Sequence, residues 1–427
     1  MSDLSRRDAK VNWHPYTQMH TAGLPIPIVK GDGAWLIAED GSRYLDAISS
    51  WWVNLHGHNH PFIMEKLRNQ LQQLDHVIFS GFTHPPAVEL SEALLEKLPP
   101  QHSRIFYSDN GSTAVEVGLK MAIQYFSNRK EKRQTFISLR GGYHGDTFGA
   151  MASGGRGIFS TPFENYLFNV IHIDVPTKGN EDKSLKQLEE AIGCGNALAF
   201  VFEPLLQGAA GMVMYDPEIL DKLIQYCKNH DVLTIADEVS TGFGRTGKYF
   251  ASDHLKQQPD IICMSKGLSG GVMALGATST TEQLYEAFLS NEKSRMFLHG
   301  HSYTGNPLAC TAALASLQLL NENSTWDAID HICYSHQEFV EKIQSHPSVE
   351  SARSLGVVLA VTVVSESGES YFNYLRDKLY NHFIARKILL RPLGNVIYML
   401  PPYCINAQEL KMVYNAIEEL LDELKKQ

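Results

Sequence analysis

An α/β fold with a mostly parallel sheet is what this sequence predicts, on three observations. Five short apolar runs, at residues 104–107, 135–139, 198–202, 232–236 and 261–264, are each followed by polar residues. Helical stretches separate the runs, which is the pattern of a sheet covered on both faces. The clearest of these helices spans 113–126, where Val115, Gly118, Leu119, Ala122, Ile123 and Phe126 recur at helical spacing.

Taken in chain order, the segment to about residue 55 is rich in turns and aromatics. KGDGAWLIAEDGSRYLDAISS reads as short strands at 35–37 and 44–48 joined by Gly and Asp turns. The alternating middle follows. After Pro307 comes a long helical stretch, then an α+β tail ending in 407–426. The 427 residues are enough for two or three domains. The expected division is an N-terminal segment, 1–60, that joins a small domain; a large domain, 61–309; and a C-terminal small domain, 310–427.

Composition excludes several classes of function. No apolar run approaches the ~20 residues of a membrane helix, and MSDLSRRDAKVNWHPY has no stretch suited to a signal peptide. A formal net charge of -10 argues against a general nucleic-acid binder. Cys194, Cys227, Cys263, Cys310, Cys333 and Cys404 are scattered without a CxxC pair, so reduced thiols and a cytoplasmic location are expected. The glycines of 242–247, GFGRTG, match GxGxxG after a strand, which keeps a nicotinamide-dependent oxidoreductase as a rival reading. The stretch that follows is a poor long helix, and the acidic pair precedes the glycines. His56, His58, His60, His299 and His301 invite a metal-binding scaffold as another rival, but no acidic residue at ligand spacing completes either cluster, and no metal is expected.

Ligands of an open parallel sheet bind at the carboxyl ends of its strands. The residues there are Asp109-Asn110-Gly111-Ser112, Gly142-Tyr143-His144, Glu203, Asp237-Glu238 and Ser265-Lys266. Asp237 and Lys266 end two runs 29 residues apart, so one connection brings a carboxylate and an amine to the same edge. Two readings fit that pair. One is a strand-end salt bridge. The other is an imine between Lys266 and the aldehyde of pyridoxal phosphate, with Asp237 keeping the ring nitrogen protonated. Gly111-Ser112 at a helix start suits a phosphate, although a plain cap by Ser112 or Thr113 fits too. Tyr143, set between glycines, can stack on a flat ring or fill a turn. Glu203 and Gln207 offer polar groups that could reach the ring's phenolic oxygen or gate the site.

Together these residues resemble the class III, or fold type I, aminotransferases. The likeness covers nearly the whole chain and is carried, in order, by YSDNGSTAVEVGLKMA, GGYHGDTFGAM, EPLLQGAAGM, ADEVSTGFGRTGKYFA, DIICMSKGLSGG and HGHSYTGNPLACTAALASL. It implies a pyridoxal-phosphate-dependent transferase whose large, cofactor-binding domain holds a mostly parallel seven-stranded sheet, with a smaller α+β domain beside it. It implies Lys266 as the imine lysine, Asp237 as the ring-nitrogen partner, Tyr143 as the stacking ring, and Gly111 and Ser112 as phosphate binders. It also implies a homodimer in which Ser302 reaches the neighbouring subunit's cofactor. Lys266, once displaced by an amino donor, would shuttle a proton as general base and acid.

Within that family, WHPYTQM at 13–19, Ser50-Trp51-Trp52 and Arg391-Pro392-Leu393 resemble the branch that aminates 8-amino-7-oxononanoate in biotin synthesis, with S-adenosylmethionine as donor. By that likeness Tyr16, Trp51 and Trp52 line the substrate pocket with Tyr143 and Lys266. Arg391 holds the acceptor's carboxylate, Gly300 contacts substrate and Arg245 assists. Core packing is the plainer reading of Trp51-Trp52, and on a strand only one of the two would face the pocket. One departure is His301-Ser302 where the family pattern has Pro-Thr; the Ser hydroxyl keeps a phosphate contact. Another class III ω-aminotransferase, acting on ornithine, 4-aminobutyrate or a diamine, is the nearest alternative.

Overall fold

The structure is a computed structural model, described over residues 2–365 and 375–425. Its centre is a seven-stranded sheet. Across the sheet the strands run His102–Ser108, Gly276–Thr281, Ile261–Met264, Leu233–Asp237, Ala197–Phe202, Thr135–Leu139 and Val170–Ile173. Every neighbouring pair is parallel except the two made by Gly276–Thr281, which runs against both its neighbours.

All five apolar runs are strands of this sheet; of the two remaining strands, Val170–Ile173 is the short VIHI and Gly276–Thr281 has no apolar run. Gly276–Thr281, GATSTT, is nearly all small and hydroxylated yet buried over five of its six residues. Two of its hydroxyls find partners inside, while Thr280 Oγ1 is buried without one. Thr278 Oγ1 donates to the Ala114 carbonyl at 2.7 Å, and Ser279 Oγ meets His102 Nδ1 at 2.8 Å. Satisfied hydroxyls cost little to bury, so this strand lacks the apolar signature of its neighbours. Val170–Ile173 is a four-residue edge strand.

The predicted helix extends over Gly111–Asn128 and lies against the sheet face. At Gly118 an added Cβ would stand 3.1 Å from Cys263 Sγ and 3.3 Å from Ile261 Cγ2, so the missing side chain sets the close helix–sheet approach. The helical stretch after Pro307 divides into Pro307–Leu320 and Asn323–Ile343. The first is buried on most sides and packs on the helices Pro61–Leu71 and Pro85–Leu95 and on the turn that begins at Lys266.

A second layer joins the two ends of the chain. Ile28–Asp32, Trp35–Ala38 and Arg43–Asp46 form an antiparallel meander, and Ile388–Leu389 adds to it in parallel beside Arg43–Asp46. Val349–Leu355, Val358–Val363 and Val396–Met399 make a three-stranded antiparallel sheet. The last helix is Ala407–Lys425; Lys426, its predicted end, lies outside the described residues. All six cysteines are free thiols. No helix among the described residues is long and apolar enough to cross a membrane.

Candidate active site

Lys266 leaves the strand Ile261–Met264 into a short 3-10 turn, with φ at 44°. Such a conformation is uncommon for a side-chain-bearing residue and is held only by its surroundings. The turn aims the amine into a cavity of about 350 Å3. Lys266 Nζ sits 4.6 Å from the Trp52 ring centroid. Burial lowers the amine's pKa, opposed by the charges of Asp237 and Glu203. The neutral, nucleophilic form is thereby favoured.

The simple Asp237–Lys266 salt bridge does not form among the described residues. Asp237 instead accepts from His144 Nδ1 at 2.7 Å and from the Val239 amide at 3.0 Å. Burial works to lower the His144 pKa, but the hydrogen bond to Asp237 and the charges of Asp237 and Glu203 outweigh it, and the net shift is upward. Glu203 is buried beside them. Its two oxygens accept from the Tyr143 amide at 2.9 Å and the Gly208 amide at 3.2 Å, and burial raises its pKa to about 7. Glu203 therefore holds the loop that carries Tyr143.

Asn110, rather than Ser112 or Thr113, caps the helix Gly111–Asn128. Its side chain accepts from the Thr113 amide at 3.0 Å, and Thr113 returns a bond in a capping box. That leaves the first-turn amides of Gly111 and Ser112 pointing outward with the positive end of the helix dipole. Gly145, at φ 125°, folds over this helix start, and a Cβ there would overlap Ser112 Oγ. Ser112 Oγ accepts from the Asp146 amide at 3.1 Å.

Tyr16, Trp51, Trp52, Tyr143, Lys266 and Arg391 all line the one cavity. Both tryptophans line it, as the family likeness implies; the restriction to one held only for a strand, and Ser49–Trp52 is a distorted turn. Ser49, Ser50 and Trp52 have φ of 52°, 61° and 68°. Each such residue costs roughly 1–3 kcal/mol, and together they turn both indoles inward. Arg391 lies 4.4 Å over the Trp51 ring. Tyr16 donates to Asp146, and its hydroxyl lies 3.4 Å from that of Tyr143.

Four predicted residues are placed elsewhere. Arg245 lies behind the cavity wall, fully buried. It donates to the carbonyls of Pro401 at 3.0 Å and Asn54 at 3.1 Å, which braces the wall, and it is not among the residues that line the cavity. Gly300, His301 and Ser302 belong to a loop beside the helix Gly111–Asn128, tied to it through Lys120 and the Leu298 carbonyl. The Ser302 carbonyl accepts from His76 at 2.7 Å, and its side chain is exposed. Within one chain this loop does not reach the cavity. The first histidine cluster is committed to other partners, His58 to Asp46 and His56 to Ser316. After GFGRTG only the 3-10 turn Ala251–His254 follows, not a helix that could seat a nucleotide.

The family model for class-III aminotransferases matches residues 16–421. The chain belongs to the class III aminotransferases. A relative in Synechococcus elongatus, named adenosylmethionine-8-amino-7-oxononanoate aminotransferase, is 45% identical over 96% of this chain and 98% of its own. One of the same name in Geobacter sulfurreducens is 38% identical over 96% of each chain. The solved structure of the enzyme of that name from Methanocaldococcus jannaschii superposes with a TM-score of 0.93 at 35% identity, covering 98% of both chains. A PLP-bound amine transaminase from an uncultivated Pseudomonas species gives 0.88 at 29%, over 96% of this chain and 97% of its own.

As a class III aminotransferase, the chain uses pyridoxal phosphate, and its own residues fit that group. Gln207 is buried with both amide atoms unpartnered, and His144 Nε2 is buried and unpartnered beside the same loop. Buried polar atoms are seldom left this way, and a polar ring at this edge would satisfy them. The cavity also contains Phe159, Ala209, Leu393 and Tyr398, which sequence reading did not single out. Tyr398 accepts from Trp52 Nε1 at 3.1 Å. Its only sequence signal was an apolar run, VIYML, with a hydroxyl in it.

Proposed function

We propose that this class III aminotransferase converts 8-amino-7-oxononanoate to 7,8-diaminononanoate with S-adenosylmethionine as amino donor, in biotin biosynthesis. The observation that carries this is the pairing of charge with indole. The Lys266 amine rests on Trp52, and the Arg391 guanidinium rests on Trp51. An acceptor with its carbonyl at Lys266, an apolar chain along the aromatic wall and a carboxylate at Arg391 satisfies every group in that row. The names of the relatives support the same reading.

Bound pyridoxal phosphate supplies an aldehyde and a ring that accepts electrons from a substrate carbon. The protein does the rest. Asp237, fixed by His144, would keep the ring nitrogen protonated. Gly111 and Ser112 offer amides and a hydroxyl to the phosphate. Tyr143, whose amide is anchored by Glu203, would stack on the ring. Lys266, its pKa lowered by burial, would serve as the general base and acid that moves a proton at the substrate carbon. The net change exchanges an amine and a carbonyl oxygen between two carbon skeletons in two half-reactions. Ser302 lies outside its own cavity, which fits a homodimer in which it serves the neighbouring site, and a cytoplasmic enzyme suits the free thiols.

Half-reactions test the reading. Each candidate donor is mixed with the holoenzyme while its visible absorbance, the band that borohydride removes, is followed. Bleaching by S-adenosylmethionine and recovery with 8-amino-7-oxononanoate are expected. Bleaching by ornithine, 4-aminobutyrate or a diamine alone would overturn it.

A further inference from the structure

Asp46 lines no part of the cavity, yet four groups converge on its fully buried carboxylate. The Ser50 amide donates to both oxygens, at 2.7 and 2.9 Å, and Ser50 Oγ donates at 3.0 Å. The Ile48 amide reaches it at 3.3 Å, and His58 Nε2 at 2.9 Å. Ser50 is the left-handed residue immediately before Trp51. His58 is itself fixed by Asn54 at 3.2 Å and by backbone bonds to Gly33. The carboxylate is thus the acceptor around which the strained turn is wound.

The same residue also ties down the opposite wall. Asp46 is paired with Leu389 in the parallel bridge between the chain's two ends, and the Ala47 amide donates to the Leu389 carbonyl at 3.3 Å. Arg391 follows two residues later, stacked on Trp51. The indole and the guanidinium of the carboxylate-binding end therefore both trace to this position, the first through the Asp46 carboxylate and the second through its backbone pairing. The groups placed around the cofactor do not hydrogen-bond to it: Asp237 ends a strand of the seven-stranded sheet, His144 lies in a loop, and Gly111 and Ser112 open a helix.

From this geometry we infer that Asp46 is a positioning residue that sets the preference for a carboxylate-bearing acceptor. It does so by holding Trp51 under Arg391. The inference rests on the acceptor reading above. Asp46→Asn replaces one acceptor oxygen with a donor; at Oδ2 it would face three donors, the Ser50 amide, Ser50 Oγ and His58, so the turn relaxes while the volume is kept.

The test compares wild-type and Asp46→Asn holoenzymes with 8-amino-7-oxononanoate and with 2-amino-3-octanone, the same skeleton without its carboxylate. The variant's visible cofactor band should match the wild type. Its KM for the carboxylate acceptor should rise about tenfold with kcat changed less than about threefold. Its kcat/KM for the carboxylate-free ketone should stay within about twofold of wild type. A general loss of structure would lower both acceptors together and overturns the inference, as does an unchanged carboxylate preference. A wild type with no such preference overturns the acceptor reading itself, and the Asp46 inference with it. Should Asp46→Asn fail to fold, Ser50→Ala removes one of the same hydrogen bonds. It should shift KM in the same direction by about two- to threefold, and no shift there overturns the inference.

Discussion

Gln207 shows how a single side chain can be wrong for the empty protein and right for the loaded one. Its amide is buried with neither atom bonded, a condition that costs about 1–3 kcal/mol. Gln207→Leu keeps the size and removes the unmet polarity. The apoenzyme should be more stable by roughly 1–3 kcal/mol and melt higher, while the cofactor's Kd rises about tenfold for one neutral hydrogen bond lost. Thermal melts with and without cofactor check both signs, and a variant that loses stability in both forms contradicts this account. Arg391 belongs to the same scale. Its guanidinium stacks on Trp51, and a charged bond to a carboxylate is worth about 1.5–3 kcal/mol. Arg391→Ala should raise KM for the carboxylate acceptor by about 10- to 100-fold with kcat much less affected, as read by steady-state kinetics.

Elements place these residues through close contacts that sequence patterns register only in part. The helix Gly111–Asn128 brings its amino end to the cofactor site because Gly118 lets it settle on Cys263 and Ile261. Gly118→Leu should push the helix off the sheet. A cost of about 1–3 kcal/mol is expected for such overpacking, with weakened cofactor retention, measured by denaturant melts and dialysis. The helical periodicity of 113–126 was plain in the sequence, whereas the need for glycine at 118 became evident only once Ile261 and Cys263 lay opposite. The strand Gly276–Thr281 was hidden for the reverse reason, since the hydroxyls of Thr278 and Ser279 are satisfied by Ala114 and His102, partners more than 160 residues away in the chain.

At the scale of the whole molecule, burial collects titratable groups around one centre, and stability must follow pH. Glu203 titrates at about 7 in the folded chain because burial disfavours its charge. Unfolded, it titrates near the ordinary carboxylate value of about 4.3. The folded state therefore binds an extra proton between those values. Stability from this group is fully present below the lower value and is lost as pH rises towards 7. In Glu203→Gln the fall of apoenzyme Tm between about pH 4.5 and 7 should be shallower than in wild type. Equal slopes in the two melting series would contradict the assignment. The variant should also bind cofactor less well, since an amide cannot accept from both the Tyr143 and Gly208 amides.

What the sequence determined by itself was the set of strand ends. Apolar runs record burial directly, so 104–107, 135–139, 198–202, 232–236 and 261–264 announced their strands, and the polar residues after them announced the edge where Gly111, Ser112, Tyr143, Asp237 and Lys266 gather. What only the tertiary structure decided was how those residues pair. His144, not Lys266, is the hydrogen-bonded partner of Asp237; Arg245 braces a wall; both tryptophans face inward. Hydrogen bonding and backbone strain depend on groups brought together from distant parts of the chain. The turn at Ser49–Trp52 takes its shape from a carboxylate, a histidine and the returning strand Ile388–Leu389, and no local spacing records that convergence.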